Sequence, residues 1–402
     1  MKLRIGPGAL VAAAFIGPGT VTTCTLAGAN FGFALVWALV FATLATILLQ
    51  DMAARLGAGA KRGLGEALME TLPAGPVRIG AAVLVFLAIA VGNAAYEAGN
   101  LAGGALGLGA ILGEGAHSQK WAVAGLSLLA GALLLLGKYK TLEKVLIGLV
   151  ILMSLAFAAT AVMVRPDLGA FAGGLVPRVP EGGLLTAIAL IGTTIVPYNL
   201  FLHAAAAKRR WPDGDASAAR SDTVLSVGLG GIVSILIVSV AAGAAFSAGL
   251  EIANAADMAR SLEPLAGTWA RYLLGAGLLA AGLTSAITAP LAAGYALSEM
   301  VPNVSDAGRA RLLKATALVI LGIGMTVGLL GIRPVTLILV AQAANGLLLP
   351  IIAGFLLYVM NRKGLLGGHA NGMLANLGGL LVVLITLGLG LRGVLRALGL
   401  WP

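Results

Sequence analysis

The chain has 402 residues, 59% of them hydrophobic and only 10% charged, with a mean hydropathy of +1.00. A soluble domain carries about 25% charged residues, so a soluble fold is excluded and an all-α polytopic membrane protein is expected. The net charge of +10 does not point to nucleic acid, because the basic residues sit in short loops, and the single Cys24 excludes an internal disulfide.

Eleven apolar spans are expected, at roughly 8–30, 32–56, 79–112, 119–137, 142–163, 183–207, 222–248, 270–299, 311–331, 335–360 and 373–397. The start of the chain resembles a signal peptide, with Lys2 and Arg4 before an apolar run, but it reads as retained because its broken segment has a partner later on. That first span, Val11–Asn30, carries Gly17-Pro18-Gly19-Thr20 at its middle. A proline between two glycines opens the helical ladder, and open backbone at that depth is tolerated only where protein buries it or a cavity receives it. The sixth span, Thr186–Ala207, repeats the device with Pro197 near its centre. Two interrupted spans in corresponding halves point to a transporter's substrate site.

With breaks in spans 1 and 6, the chain divides into a five-helix unit over 1–163, a second over 164–360 and an accessory span over 361–402. Five is odd, so the second unit crosses the membrane in the opposite sense and the two form an inverted repeat. With the N-terminus in the cytoplasm, 18 of the 26 Lys and Arg fall on the cytoplasmic side and 8 on the other. That excess supports a cytoplasmic N-terminus, an external C-terminus and an odd number of spans.

Several local sequences resemble the natural resistance-associated macrophage protein (Nramp) family of proton-coupled metal transporters. Span 2 ends in Leu48–Gly57 (LLQDMAARLG), span 5 opens with Leu142–Val145 (LEKV), and an external PDLGAFAGGLVP loop leads into LIGTTIVPYNLFLH. Leu278–Thr288 (LLAAGLTSAIT) and Ala341–Pro350 (AQAANGLLLP) follow in spans 8 and 10. The resemblance covers nearly the whole chain and implies the LeuT-type fold, as a monomer in a prokaryotic inner membrane. It also implies a small inorganic ion as substrate and alternating access, with spans 1 and 6 rocking against spans 3, 4, 8 and 9.

The departures from the family pattern bear on the substrate. The family's Asp-Pro-Gly-Asn is here Gly17, Pro18, Gly19 and Thr20, and its Met-Pro-His is Val196, Pro197 and Tyr198. Three metal-ligating side chains are therefore missing together. An Asp-x-x-Glu pair on span 3 is reduced to Ala94 and Glu97, while His203, Asp222 and Gln342 are kept. The expected substrate site comprises Gly17, Gly19, Thr20, Thr193, Thr194, Val196, Tyr198, Asn199 and Gln342.

That set holds no carboxylate, sulfur or imidazole, and a 2+ ion stripped of water is severely penalised without them. Helix N-termini instead present free N–H groups and about half a positive charge each. A small anion is therefore the expected substrate, bicarbonate in particular; the alternative is a divalent metal cation, Mg2+ or Mn2+, held by backbone and amide oxygens. No cofactor is expected beyond a coupling ion. Sodium would lie among Thr284, Ser285, Thr288 and the freed carbonyls near Ala14 and Gly17; a proton would instead use Glu97 and His203. Asp51 and Asp222 read as structural ion pairs. An enzyme is not expected: the three histidines are far apart, no His-Glu-x-x-His or Gly-x-Ser-x-Gly occurs, and Gly131 with Gly137-Lys138 lacks phosphate-loop spacing.

Overall fold

Inside a bilayer every backbone polar group needs an internal partner, which a helix provides within itself. The computed structural model describes residues 6–8, 11, 16–113, 116–136, 140–211, 213–252 and 255–400, and among these there is no strand. Its principal helices are α1 (Pro18–Phe31), α2 (Val36–Ala60), α3 (Leu64–Thr71), α4 (Pro76–Leu112), α5 (Ala116–Leu136), α6 (Lys140–Val164), α7 (Leu184–Thr194), α8 (Pro197–Arg210), α9 (Ala216–Ala241), α10 (Ala270–Glu299), α11 (Asp306–Gly328), α12 (Pro334–Met360) and α13 (Met373–Ala397).

Among the described residues, nine segments are long and apolar enough to span a membrane, with α7 and α8 together forming one of them. The expected first span falls on α1, with residues 9, 10 and 12–15 outside the described residues, and the fifth falls on α6. The sequence places the third span at 79–112, whereas α4 starts at Pro76: a proline suits the first turn of a helix, where its missing N–H costs nothing.

Two groups of helices face one another. Helices α4, α5, α10 and α11 pack together, with α10 lying along α4. Helices α1, α2, α7, α8 and α9 form the other group, in which α8 and α9 pack along α2 and α9 along α1. Helix α12 bridges the groups through α4 and α7, and α13 docks on the outside of α12.

Lipid tails are as apolar as leucine, so helices hold together by close packing. The α4–α10 seam is the tightest case: a Cβ placed on Gly282 would lie 2.6 Å from the Gly104 Cα. Gly282→Val should force the two helices apart and destabilise the detergent-solubilised protein by about 1–3 kcal/mol, read as a lower thermal midpoint. Gly228→Ala, in α9 with nothing within 4 Å of the added carbon, should leave the midpoint unchanged or raise it, since Ala is favoured over Gly in a helix by about 1 kcal/mol.

Candidate substrate site at the helix breaks

Both breaks end in a proline-initiated helix. Gly17 is the N-cap of α1 and Val196 the N-cap of α8; Pro18 and Pro197 follow, and neither cap residue bonds to its helix through a side chain. Only Ile195 and Val196 separate α8 from the end of α7 at Thr194. The first intrahelical bond of α1 runs from the Val21 amide to Gly17 O at 3.2 Å, and in α8 the Asn199 amide donates to Val196 O at 3.1 Å; a partial positive charge gathers at both helix N-termini.

Long-range contacts draw the two breaks together. Thr20 and Thr193 share a hydroxyl–hydroxyl hydrogen bond of 2.8 Å, linking α1 to α7. Gln342 on α12 lies over both: a Cβ on Gly19 would overlap its side-chain amide, and a Cβ on Gly192 would overlap its carbonyl oxygen. Gly19 is thus a glycine because an amide from another helix rests on the break. On the far side a Cβ on Gly103 would overlap Pro18, so α4 backs the same break. The Tyr198 ring meets Tyr96 of α4 edge-on, with centroids 5.3 Å apart.

The polar groups here are closed off and under-bonded. Thr20, Thr193, Tyr198, Asn199 and Gln342 are all at most 1% exposed. Both amide atoms of Gln342 and both of Asn199 have no hydrogen-bond partner. A buried polar atom left unsatisfied costs about 1–3 kcal/mol. Four such atoms beside two helix N-termini mark a place that a polar occupant would stabilise. Among the described residues, no group of three or more His, Cys, Asp and Glu side chains is placed to hold a metal ion.

Other expected site residues take different places. The Thr194 hydroxyl donates to Leu190 O, and its carbonyl accepts from Thr46 at 3.3 Å, so Thr194 serves the helix end. Val196 contributes backbone and a buried apolar side chain. The Glu97 side chain packs against Gly324 of α11, and one carboxyl oxygen accepts from Asn100 at 3.3 Å while the other has no partner. His203 Nδ1 pairs with Gln50 Oε1 at 2.9 Å, fully buried. Thr284 and Thr288 donate to carbonyls of their own helix, Ala280 O and Thr284 O, as helical threonines commonly do. The Ser285 hydroxyl is buried without a partner. Ala14 lies outside the described residues.

Among the described residues, Asp222 is bonded by backbone amides. Its carboxylate accepts from the backbone amides of Gly6 at 2.9 Å and Gly8 at 2.6 Å, so it holds the start of the chain. Asp51 does form ion pairs, with Arg55 at 2.9 Å and Arg220 at 3.6 Å. Sequence reasoning passed over Tyr96, Gln50 and the partnerless hydroxyls of Thr22 and Thr23. The available signal was the rarity of polar side chains inside spans; their partners lie far away in the chain.

An all-helical membrane bundle with a closed polar centre at two mid-helix breaks defines a secondary transporter of the LeuT-type fold rather than an enzyme. The chain belongs to the family described as natural resistance-associated macrophage protein-like (Nramp), whose sequence model matches residues 8–396. It is 30% identical over 393 residues to a divalent metal cation transporter MntH of Ralstonia nicotianae, covering 92% of this chain and 86% of that one. The MntH of Acidiphilium cryptum is 28% identical over 392 residues, covering 94% and 88%. Among solved structures, the manganese transporter of Eremococcus coleocola superposes with a TM-score of 0.80 at 21% identity, over 97% of this chain and 85% of that one. Those relatives carry metal cations by name; none of them is named for an anion.

Proposed function

We propose that this chain is an alternating-access transporter whose substrate is a small anion, with bicarbonate as the specific candidate. The observation that carries the reading is the composition of the closed site: amides and hydroxyls around two helix N-termini that no cap side chain bonds, with no carboxylate, thiol or imidazole among Thr20, Thr193, Tyr198, Asn199 and Gln342. Bicarbonate both accepts and donates hydrogen bonds, matching the amide donors and acceptors of Gln342 and Asn199. The half-helix charges favour a negative ligand.

Sodium is the proposed coupling ion, with the partnerless Ser285 hydroxyl as its candidate ligand, because moving a proton with bicarbonate amounts to moving carbon dioxide and water; the Gly17 carbonyl, expected to be freed, accepts from the Val21 amide at 3.2 Å. The moving body holds the broken spans 1 and 6 and the fixed body spans 3, 4, 8 and 9, so each draws on both repeat units, 1–163 and 164–360, with the N-terminus in the cytoplasm.

Kinship favours a second reading. The relatives named above are divalent metal cation transporters, and Gln342 Oε1, Asn199 Oδ1 and the carbonyls at the breaks are oxygen ligands of the kind that hard cations accept. Uptake into sealed liposomes separates the two. Labelled bicarbonate, Mn2+ and Mg2+ are each followed with and without an inward sodium gradient. Bicarbonate accumulation that depends on sodium, with both metals silent, is the expected result. Metal uptake without bicarbonate flux would overturn the anion reading and establish the family's cation chemistry for this chain.

A further inference from the structure

One cluster of charge plays no part in the substrate site. It lies at the end of the molecule that carries Lys61, Arg62 and Lys208–Arg210, the cytoplasmic end by the distribution of basic residues. The short helix α3 sits there between α2 and α4 and packs on α8, α10 and α12. Beside it is a cavity of about 340 Å³ lined by Glu66, Lys208, Arg309 and Glu299, among others.

Glu66 is bonded from three directions. It receives the Lys208 ammonium of α8 at 2.7 Å, the Arg309 guanidinium of α11 at 3.7 Å and the Gly63 amide at 3.0 Å. Burial works against its charge, but the Lys208 hydrogen bond, the Gly63 amide and Arg309 outweigh that and hold the carboxyl below its ordinary range. Glu299, at the end of α10, accepts from the Gly65 amide at 3.2 Å, and Arg309 also donates to Ser298 O at 3.3 Å. Arg209 of α8 lies 4.6 Å over the Tyr295 ring of α10. Helix α8, the second half of a broken span, is thereby tied through α3 to the ends of α10 and α11.

We propose that α3 is a bolt holding the cytoplasmic side of this transporter shut, with the Glu66–Lys208 pair as its clasp. Opening toward the cytoplasm requires α8 to part from α10 and α11, and in this arrangement it parts only when Glu66 releases Lys208 or Arg309. The inference rests on alternating access and not on which ion is carried.

The test reads accessibility rather than transport. Ala205 lines the cavity from α8 and is buried. Ala205→Cys is made in a Cys24→Ser background, and the purified full chain is reacted with a charged maleimide. Lys208→Gln and Glu66→Gln should each speed the labelling roughly tenfold by shifting the population toward the open form, while Lys208→Arg should stay slow. Arg62→Gln breaks the exposed Arg62–Glu70 pair of the same region and should leave the rate unchanged. Unchanged labelling in the Lys208→Gln variant would overturn the bolt, as would equal acceleration by Arg62→Gln, which would indicate general loosening of α3. If Glu66→Gln fails to fold, Lys208→Gln, at a side chain 37% exposed, carries the test alone. Failure of bicarbonate uptake leaves the bolt standing, and failure of the bolt leaves the substrate reading standing.

Discussion

On the proposed anion reading the native chain ignores Mn2+, and replacing Gly17 and Thr20 together by aspartate should make it bind the ion measurably. The site as it stands offers a divalent ion neutral oxygens only, and a 2+ charge at the membrane midplane is too poorly compensated by those. Two carboxylates change the sign of the local field and supply the hard anionic oxygens that Mn2+ and Mg2+ prefer. The backbone tolerates the first change: Gly17 is extended, at φ −95° and ψ −177°, a conformation open to any residue. An aspartate there also sits at the N-cap of α1, where Asp is among the favoured residues. Thr20→Asp gives up the 2.8 Å bond to Thr193, but the Thr193 hydroxyl then faces a carboxylate that accepts it. Titration calorimetry with Mn2+ should move from no heat to a dissociation constant in the micromolar range, a gain of at least about 4 kcal/mol. The same variant should lose bicarbonate uptake, because the added charge repels an anion. A folded double variant that still ignores both metals would mean that missing carboxylates are not the reason for the site's character.

Gln342→Leu should cut transport by about 100-fold while leaving the protein as stable as before, or more so. Gln342 is fully buried and neither of its amide atoms has a partner. Replacing an unsatisfied polar group by an apolar one of similar size removes a cost of about 1–3 kcal/mol. If the amide were there for packing, its loss would lower the thermal midpoint. If it awaits the substrate, uptake should fall by about 100-fold, the scale set by leaving a substrate's polar group unpaired in a closed site, with no loss of stability. Opposite movements in stability and activity are characteristic of a binding residue. Gln342→Glu adds a second axis: it keeps the shape but brings a negative charge onto the break at Gly19, so bicarbonate uptake should fall and cation binding should rise. A lower midpoint with uptake unchanged in Gln342→Leu would remove Gln342 from the site.

The kinship with metal transporters and the chemistry of the closed centre pull in different directions, and both are expressed in the same residues. The fold depends on small residues and helix breaks, which survive exchange of a few polar side chains. The substrate depends on those few side chains, and Gly17, Thr20 and Val196 occupy positions where the family pattern has ligands. A chain can therefore be Nramp in its backbone and carry a different ion at its centre, and the two substitutions above separate these levels.

By itself, the sequence determined what is local and additive. Apolar runs of spanning length marked the helices, and Gly17-Pro18-Gly19 and Pro197 marked the breaks, because a missing N–H acts within one turn wherever it lies. The order of small motifs was enough to show the family resemblance. Only the tertiary structure decided which polar groups meet. Thr20 and Thr193 are 173 positions apart, and nothing periodic in either segment announces the other. Gln342 reaches Gly19 because α12 crosses the end of α1 with no Cβ between them. Glu97 carried the same sequence signal as the site residues, a polar side chain in an apolar span, and only the packing of α4 on α11 shows that its side chain lies against Gly324. Thr284 and Thr288 likewise spend their protons on their own helix. One residue along a helix rotates a side chain by about 100°, so which neighbour it faces is settled by how whole helices pack. That packing is governed by glycines such as Gly104 and Gly282, whose part in the site is only to let other groups come close.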